Sequence, residues 1–257
     1  MTSPGFDHTY LLPLFQELES RREQGAYQPL SDPAPSSSLH VDEEPLGTYS
    51  ASFLIRNSYG AGIAHADALR RLVHAGEVDP FSPWTLMRGA LENFAMGVWL
   101  LDGPGRAERR RRTLALWYED MRNRANHEVA SGHEPGPEGK TGRERRGQIA
   151  DLATSLGIDP GSLSKPQAGL TIKEAAQSAG LKPTSVDAAW QAASGFAHGR
   201  YWTNLRASAP VAARQSSPDT YSIAFVLDEG RHRPLVQYTH TLLRHLRTRY
   251  EARAEPR

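Results

Sequence analysis

The chain contains no cysteine, which excludes disulfide bonds, thiolate catalysis and cysteine-based metal sites together. It has no excess of charge of one sign: 30 basic and 29 acidic side chains leave a formal charge of +1. No overall basic field therefore draws it to nucleic acid, and any such contact must be local. A long uninterrupted apolar run is also missing. The longest, Ser82 to Leu101, is broken by Arg88, Glu92 and Asn93, and no N-terminal run is apolar enough for a signal peptide. The expectation is a cytoplasmic protein with no membrane partner. Repeats are absent. GKT at Gly139 to Thr141 lacks the glycine a phosphate loop needs at position 134, where Glu134 stands, and no strand precedes it. His127, Glu128 and His133 miss the spacing of a zinc protease, and Glu229 with His232 is a single ExxH where a di-iron bundle needs two. Neither a metal nor a cofactor is expected.

What is present fits a helical protein. At 257 residues and 39% hydrophobic composition the chain can bury a sizeable core. Ser82 to Leu101, SPWTLMRGALENFAMGVWLL, is apolar nearly all round, as a helix can be only when other elements surround it. Ser82 can cap its start, Pro83 suits its first turn, and DGPG ends it. Tyr49 to His74 has the three-and-four spacing of an amphipathic helix, with His65 on the inward stripe. Another helix opens with an arginine run, Arg106 and Arg109 to Arg112, which reads as a solvated face and is the only concentrated basic patch. Residues 130 to 143 are loop-like. Helices follow near 145 to 156, through 171 to 198 with breaks at Gly180 and Pro183, and from Pro234 to Ala252. Tyr221 to Leu227 alternates as a strand would, pairing with Pro210 to Arg214 across a turn at Pro218 and Asp219.

The fold class expected is all-α, a HEPN-like bundle of five to six main helices with a short β-hairpin near 210–227. Residues 1–45 are expected to lie outside it, as a peripheral helix around Leu11, Leu14, Phe15 and Leu18 followed by a mobile Pro/Ser-rich linker from Gln28 to Pro45. The bundle domain then spans 46–257.

Three patterns bear on function. In RNRANH, arginine and histidine stand five positions apart with asparagine directly after the arginine, and this resembles the signature of the HEPN superfamily. The resemblance implies a metal-independent ribonuclease of a stress or defence system, acting on RNA as a homodimer with Arg122, Asn123 and His127 as catalytic residues. There the histidine moves the proton of a ribose 2'-hydroxyl and the arginine neutralises the phosphate. The alternative is a solvated helix end with His127 near the C-terminal dipole.

WQAASGFAHG, taken with SPWTLMRGALE and the arginine-rich helix over roughly residues 50 to 205, is similar to uncharacterised actinobacterial all-helical proteins related to the DUF5677 group. That resemblance implies no activity, and it marks Arg88, Glu92, Ser194 and His198 as recurring polar positions. Each sits on the apolar face of its own helix, so these four and His65 are expected to meet in one buried or cleft-lining polar cluster. Third, LTIKEAAQSAGLKPTSVDAAW resembles the helix-turn-helix of LacI-type repressors. A DNA-binding regulator would then offer Lys182, Thr184 and Ser185 to a major groove, although Asp187 and the run Ala188 to Trp190 make a poor reading surface. A non-catalytic helical module that binds a small ligand or a protein partner at the Arg88 cluster is the remaining alternative.

Overall fold

Ser82–Leu101 is the helix around which the computed structural model is built. The structure describes residues 7–23, 26–132, 139–164, 166–218 and 220–256. In chain order the helices are α1 (Leu12–Glu19), α2 (Ser38–Glu43), α3 (Ala51–Ala75), α4 (Ser82–Leu101), α5 (Arg106–Ser131), α6 (Gly142–Ser155), α7 (Ala168–Ser178), α8 (Pro183–Ala197), α9 (Tyr201–Ala207) and α10 (Glu229–Ala254). A two-residue ribbon joins β1 (Arg22–Glu23) to β2 (Ala26–Tyr27), and an antiparallel hairpin pairs β3 (Ser208–Ser217) with β4 (Thr220–Leu227). The protein is predominantly α-helical.

α4 is enclosed by α3, α7, α8 and α10, and Trp84, Met87, Leu91, Phe94 and Val98 are fully buried along it. Its start departs from the expected Ser82 cap. Asp79 does the capping, its Oδ1 accepting from the Phe81 and Ser82 amides at 2.7 and 2.9 Å, while Pro83 occupies the first turn, where no donor is needed. Close approach of α3 depends on Gly62: a Cβ there would lie 2.3 Å from the Phe94 ring. A smaller core joins α5 and α6 through Leu114, Ala115, Met121, Ile149 and Ala153.

Two expectations about the N-terminal region are corrected. α1 is not peripheral, because Leu11, Leu14, Phe15 and Leu18 are buried in the same core as α4. Nor is the Pro/Ser-rich stretch a mobile linker. Ser37 caps α2 by accepting from the His40 amide, Leu30, Leu39 and Leu46 are buried, and so are the charged Asp42 and Glu43. Composition alone misreads this stretch, since Ser37 caps a helix, Asp42 is paired with arginines and Glu43 accepts from Ser52.

The hairpin pairs Ala213 with Ile223 and Gln215 with Tyr221. Its expected turn includes Asp219, which lies outside the described residues, as do His133 and Glu134. Among the described residues, no helix is long and apolar enough to cross a membrane.

Candidate anion-binding cleft

The arginine run of α5 is not a solvated face. Gly103, Pro104 and Gly105 break the chain after α4, and the helix that restarts at Arg106 lays its first turns against α2 and α7. Asp42 of α2 is the hub. Its Oδ1 accepts from Arg106 Nε at 3.0 Å, its Oδ2 accepts from Arg109 Nε at 2.6 Å and from Arg253 of α10, and its backbone carbonyl accepts from Arg110 Nε at 2.8 Å. Arg253 also donates to the Leu101 carbonyl and Arg109 to the Gly103 carbonyl, so α2, α4, α5 and α10 are tied at one point. Further along α5, Arg112 donates to Glu108, to Glu174 of α7 and to the Trp99 carbonyl, with its guanidinium 4.6 Å from the Trp99 ring centroid.

Beside this hub opens a cleft of about 620 Å³, lined by Asp102, Arg106, Arg109, His245, Arg249 and Arg253, with Ser38, Leu101, Gly103, Ser178 and Ala252 among the rest of its wall. Asp102, the residue that ends α4, accepts from His245 Nε2 and Arg249 Nε, each at 2.8 Å. Burial acts to raise the Asp102 carboxyl, but the hydrogen bonds from His245 and Arg249 outweigh it and hold the group below its usual range. Asp42 behaves likewise under Arg109 and Arg253. Arg253 is pushed down chiefly by burial, with the like charge of Arg109 and, less, of Arg249 adding to it against the opposing pull of Asp42.

The balance is unequal. Four guanidinium groups face two carboxylates, an excess of two positive charges before His245 is counted. Both oxygens of each carboxylate already accept hydrogen bonds. Arg106 and Arg249 use only Nε, and among the described residues their terminal nitrogens have no hydrogen-bond partner. Their side chains are 53% and 47% exposed. The arrangement presents donors in search of an anion.

The residues singled out from sequence fall elsewhere. Arg122 donates to Glu119 at 2.6 Å, and Asn123 and His127 are exposed. Five positions apart on α5, Arg122 and His127 project about 140° from one another around the helix axis, so within one chain they do not face a common phosphate. Arg88 Nε pairs with Glu92 Oε1 at 2.8 Å, and Trp190 Nε1 donates to the same oxygen at 2.6 Å. The wider cluster does not assemble. His65 packs its ring against Gly89, Ser194 is half-buried, and His198 is exposed. His198 is the C-cap of α8, its amide still bonded to the Ser194 carbonyl at 3.1 Å, and the chain turns away after it through Gly199 at φ 62°.

In the α7–α8 pair, Ala176 and Val186 are buried and Gly180 adopts φ 71°, the packing a helix-turn-helix needs. Lys182 and Thr184 are exposed and Ser185 half-buried, but Asp187 pairs with Lys173 at 3.1 Å. Phe196 stacks on Trp84 of α4. This helix is a wall of the core, and the only cation among the three candidate groove-reading residues is Lys182.

With Arg88 and Glu92 at 24% and 30% exposure, water reaches the pair. Glu92→Ala should therefore cost about 1–2 kcal/mol, from the unpaired Arg88 and Trp190 donors, rather than the larger penalty of a sealed ion pair. Urea unfolding of wild type and variant measures this; a loss above about 3 kcal/mol would show that water does not relieve the pair.

Comparison of the chain with protein-family models, with characterised proteins and with solved structures returned no match.

Proposed function

We propose that the protein is a ligand-binding helical module whose working site is the arginine cleft, and that its ligand is a small anion. One observation carries this reading. In a cleft with excess positive charge, Arg106 and Arg249 hold terminal donors that no described residue satisfies, while each oxygen of both aspartates already accepts a hydrogen bond from another donor. Charge-assisted hydrogen bonds are the strong ones, and guanidinium forks match anionic oxygens. The alternatives gain less. A ribonuclease built on Arg122 and His127 needs both at one phosphate, and a DNA reader needs a basic face that α8 lacks.

Isothermal titration with inorganic phosphate at low ionic strength tests the reading. A single site is expected, with Arg106→Ala and Arg249→Ala each weakening it about tenfold. Both side chains are about half-exposed, so the variants should keep a near wild-type melting temperature. No detectable binding, or binding unchanged in both variants, would refute the assignment.

A further inference from the structure

We infer that the anion taken by the cleft is a phosphomonoester dianion carried on a small hydroxylated body, an inference that rests on the anion-binding reading above. Charge supplies the first argument. The excess of two positive charges matches a monoester dianion, whereas a phosphodiester brings one negative charge and leaves the cluster half neutralised.

The placement of donors supplies the second. Arg106 and Arg109 come from α5 and Arg249 from α10, so the guanidinium groups belong to two different helices lining the cleft. A carboxylate is planar and a single guanidinium fork occupies both its oxygens. A tetrahedral phosphate offers three oxygens in different directions, and so can bridge the two helices.

The rest of the lining decides what the phosphate is attached to. Ser38, Leu101, Gly103, Ser178 and Ala252 are small, aliphatic or hydroxylated, and among the described residues no Phe, Tyr or Trp lines the cleft. A nucleobase would find no indole, phenol or phenyl ring, and the imidazole and guanidinium planes that could replace them are groups already bonded to Asp102 and Asp42. Ser38 is engaged with Arg253 at 3.3 Å, but the exposed Ser178 hydroxyl has no hydrogen bond among the described residues. His245 gives its Nε2 to Asp102. Its Nδ1 has no hydrogen-bond partner among the described residues, and a ligand hydroxyl, which both donates and accepts, can pair with that nitrogen whether or not it carries a proton. A volume of about 620 Å³ is ample for such a ligand.

Titration of the full chain with inorganic phosphate, glycerol 3-phosphate, ribose 5-phosphate, AMP, dimethyl phosphate and succinate tests the inference. The two polyol monoesters should bind about tenfold more tightly than inorganic phosphate, and dimethyl phosphate and succinate at least about tenfold more weakly than the monoesters. AMP should gain nothing over ribose 5-phosphate. Ser178→Ala should weaken ribose 5-phosphate about threefold or more while leaving inorganic phosphate unchanged. If phosphate binds but succinate or dimethyl phosphate equals the monoesters, or AMP binds tenfold more tightly than ribose 5-phosphate, the ligand class is wrong and the anion site stands. If inorganic phosphate and the esters all fail to bind, both readings fall together.

Discussion

Asp42→Ala lowers the stability of the fold by about 3–5 kcal/mol, the expected result of removing one partner from a buried ionic network. Asp42 is 5% exposed, and its carboxylate holds Arg106, Arg109 and the buried Arg253. Its removal leaves Arg109 and Arg253, already crowded by like charge, with no counter-ion between them. For a chain of this size the melting temperature should fall by roughly 10 °C. Arg106→Ala, which removes the most exposed of the three partners, should cost less than about 1 kcal/mol. A melting temperature in Asp42→Ala within 2 °C of wild type, where ~3 kcal/mol requires a larger fall, would mean that the network does not tie α2 to α5 and α10. The Asp42 carboxyl is held below its ordinary range despite burial, so its contribution is present at neutral pH and is lost as the pH falls through the folded-state value.

The second large effect lies at milder acidity. His232 is fully buried, with Nδ1 2.8 Å from the Tyr10 hydroxyl and its ring edge-on to Trp84. Burial pushes its pKa down from 6.5 to about 4. Between those values the unfolded chain takes up a proton that the folded chain refuses, so stability is full above about pH 6.5 and falls as the pH drops toward 4. The shift corresponds to about 3 kcal/mol in all, of which about 2 are lost by pH 5. His240, also lowered by burial, acts in the same direction. Urea unfolding at pH 7.5 and pH 5, for wild type and His232→Phe, separates the two: the variant should lose about 2 kcal/mol less between those pH values. Equal pH dependence in both proteins would show that His232 does not couple folding to protonation.

The sequence and the structure agree where local chemistry decides. α4 is legible because Pro83 marks its start, DGPG marks its end, and its apolar residues point in all directions. α3 and α10 are legible from their stripes, and the hairpin from alternation on either side of a Pro turn. The cleft was hidden for a physical reason. Its residues come from 38–42, 101–109, 178 and 245–253, and the contact that closes it joins Asp42 to Arg253 across 211 positions. An arginine run reads as a solvated face when the acid that neutralises it sits in a proline- and serine-rich stretch. The signal was there in part, since Arg106 and Arg109 to Arg112 formed the only concentrated basic patch. His198 shows the opposite failure. Steps of four place it in line with Trp190 and Ser194, but burial falls off toward the end of α8, and at its C-cap His198 is exposed.

A crystal structure grown with tungstate is the most direct measurement of the cleft's role, because this tetrahedral dianion is located by its own anomalous signal. The expected result is one dominant peak in the cleft, with oxygens about 2.7–3.2 Å from terminal nitrogens of both Arg106 and Arg249. Tungstate found at Arg122 or along α8, with the cleft holding none, would contradict the assignment of this cleft as the protein's anion site.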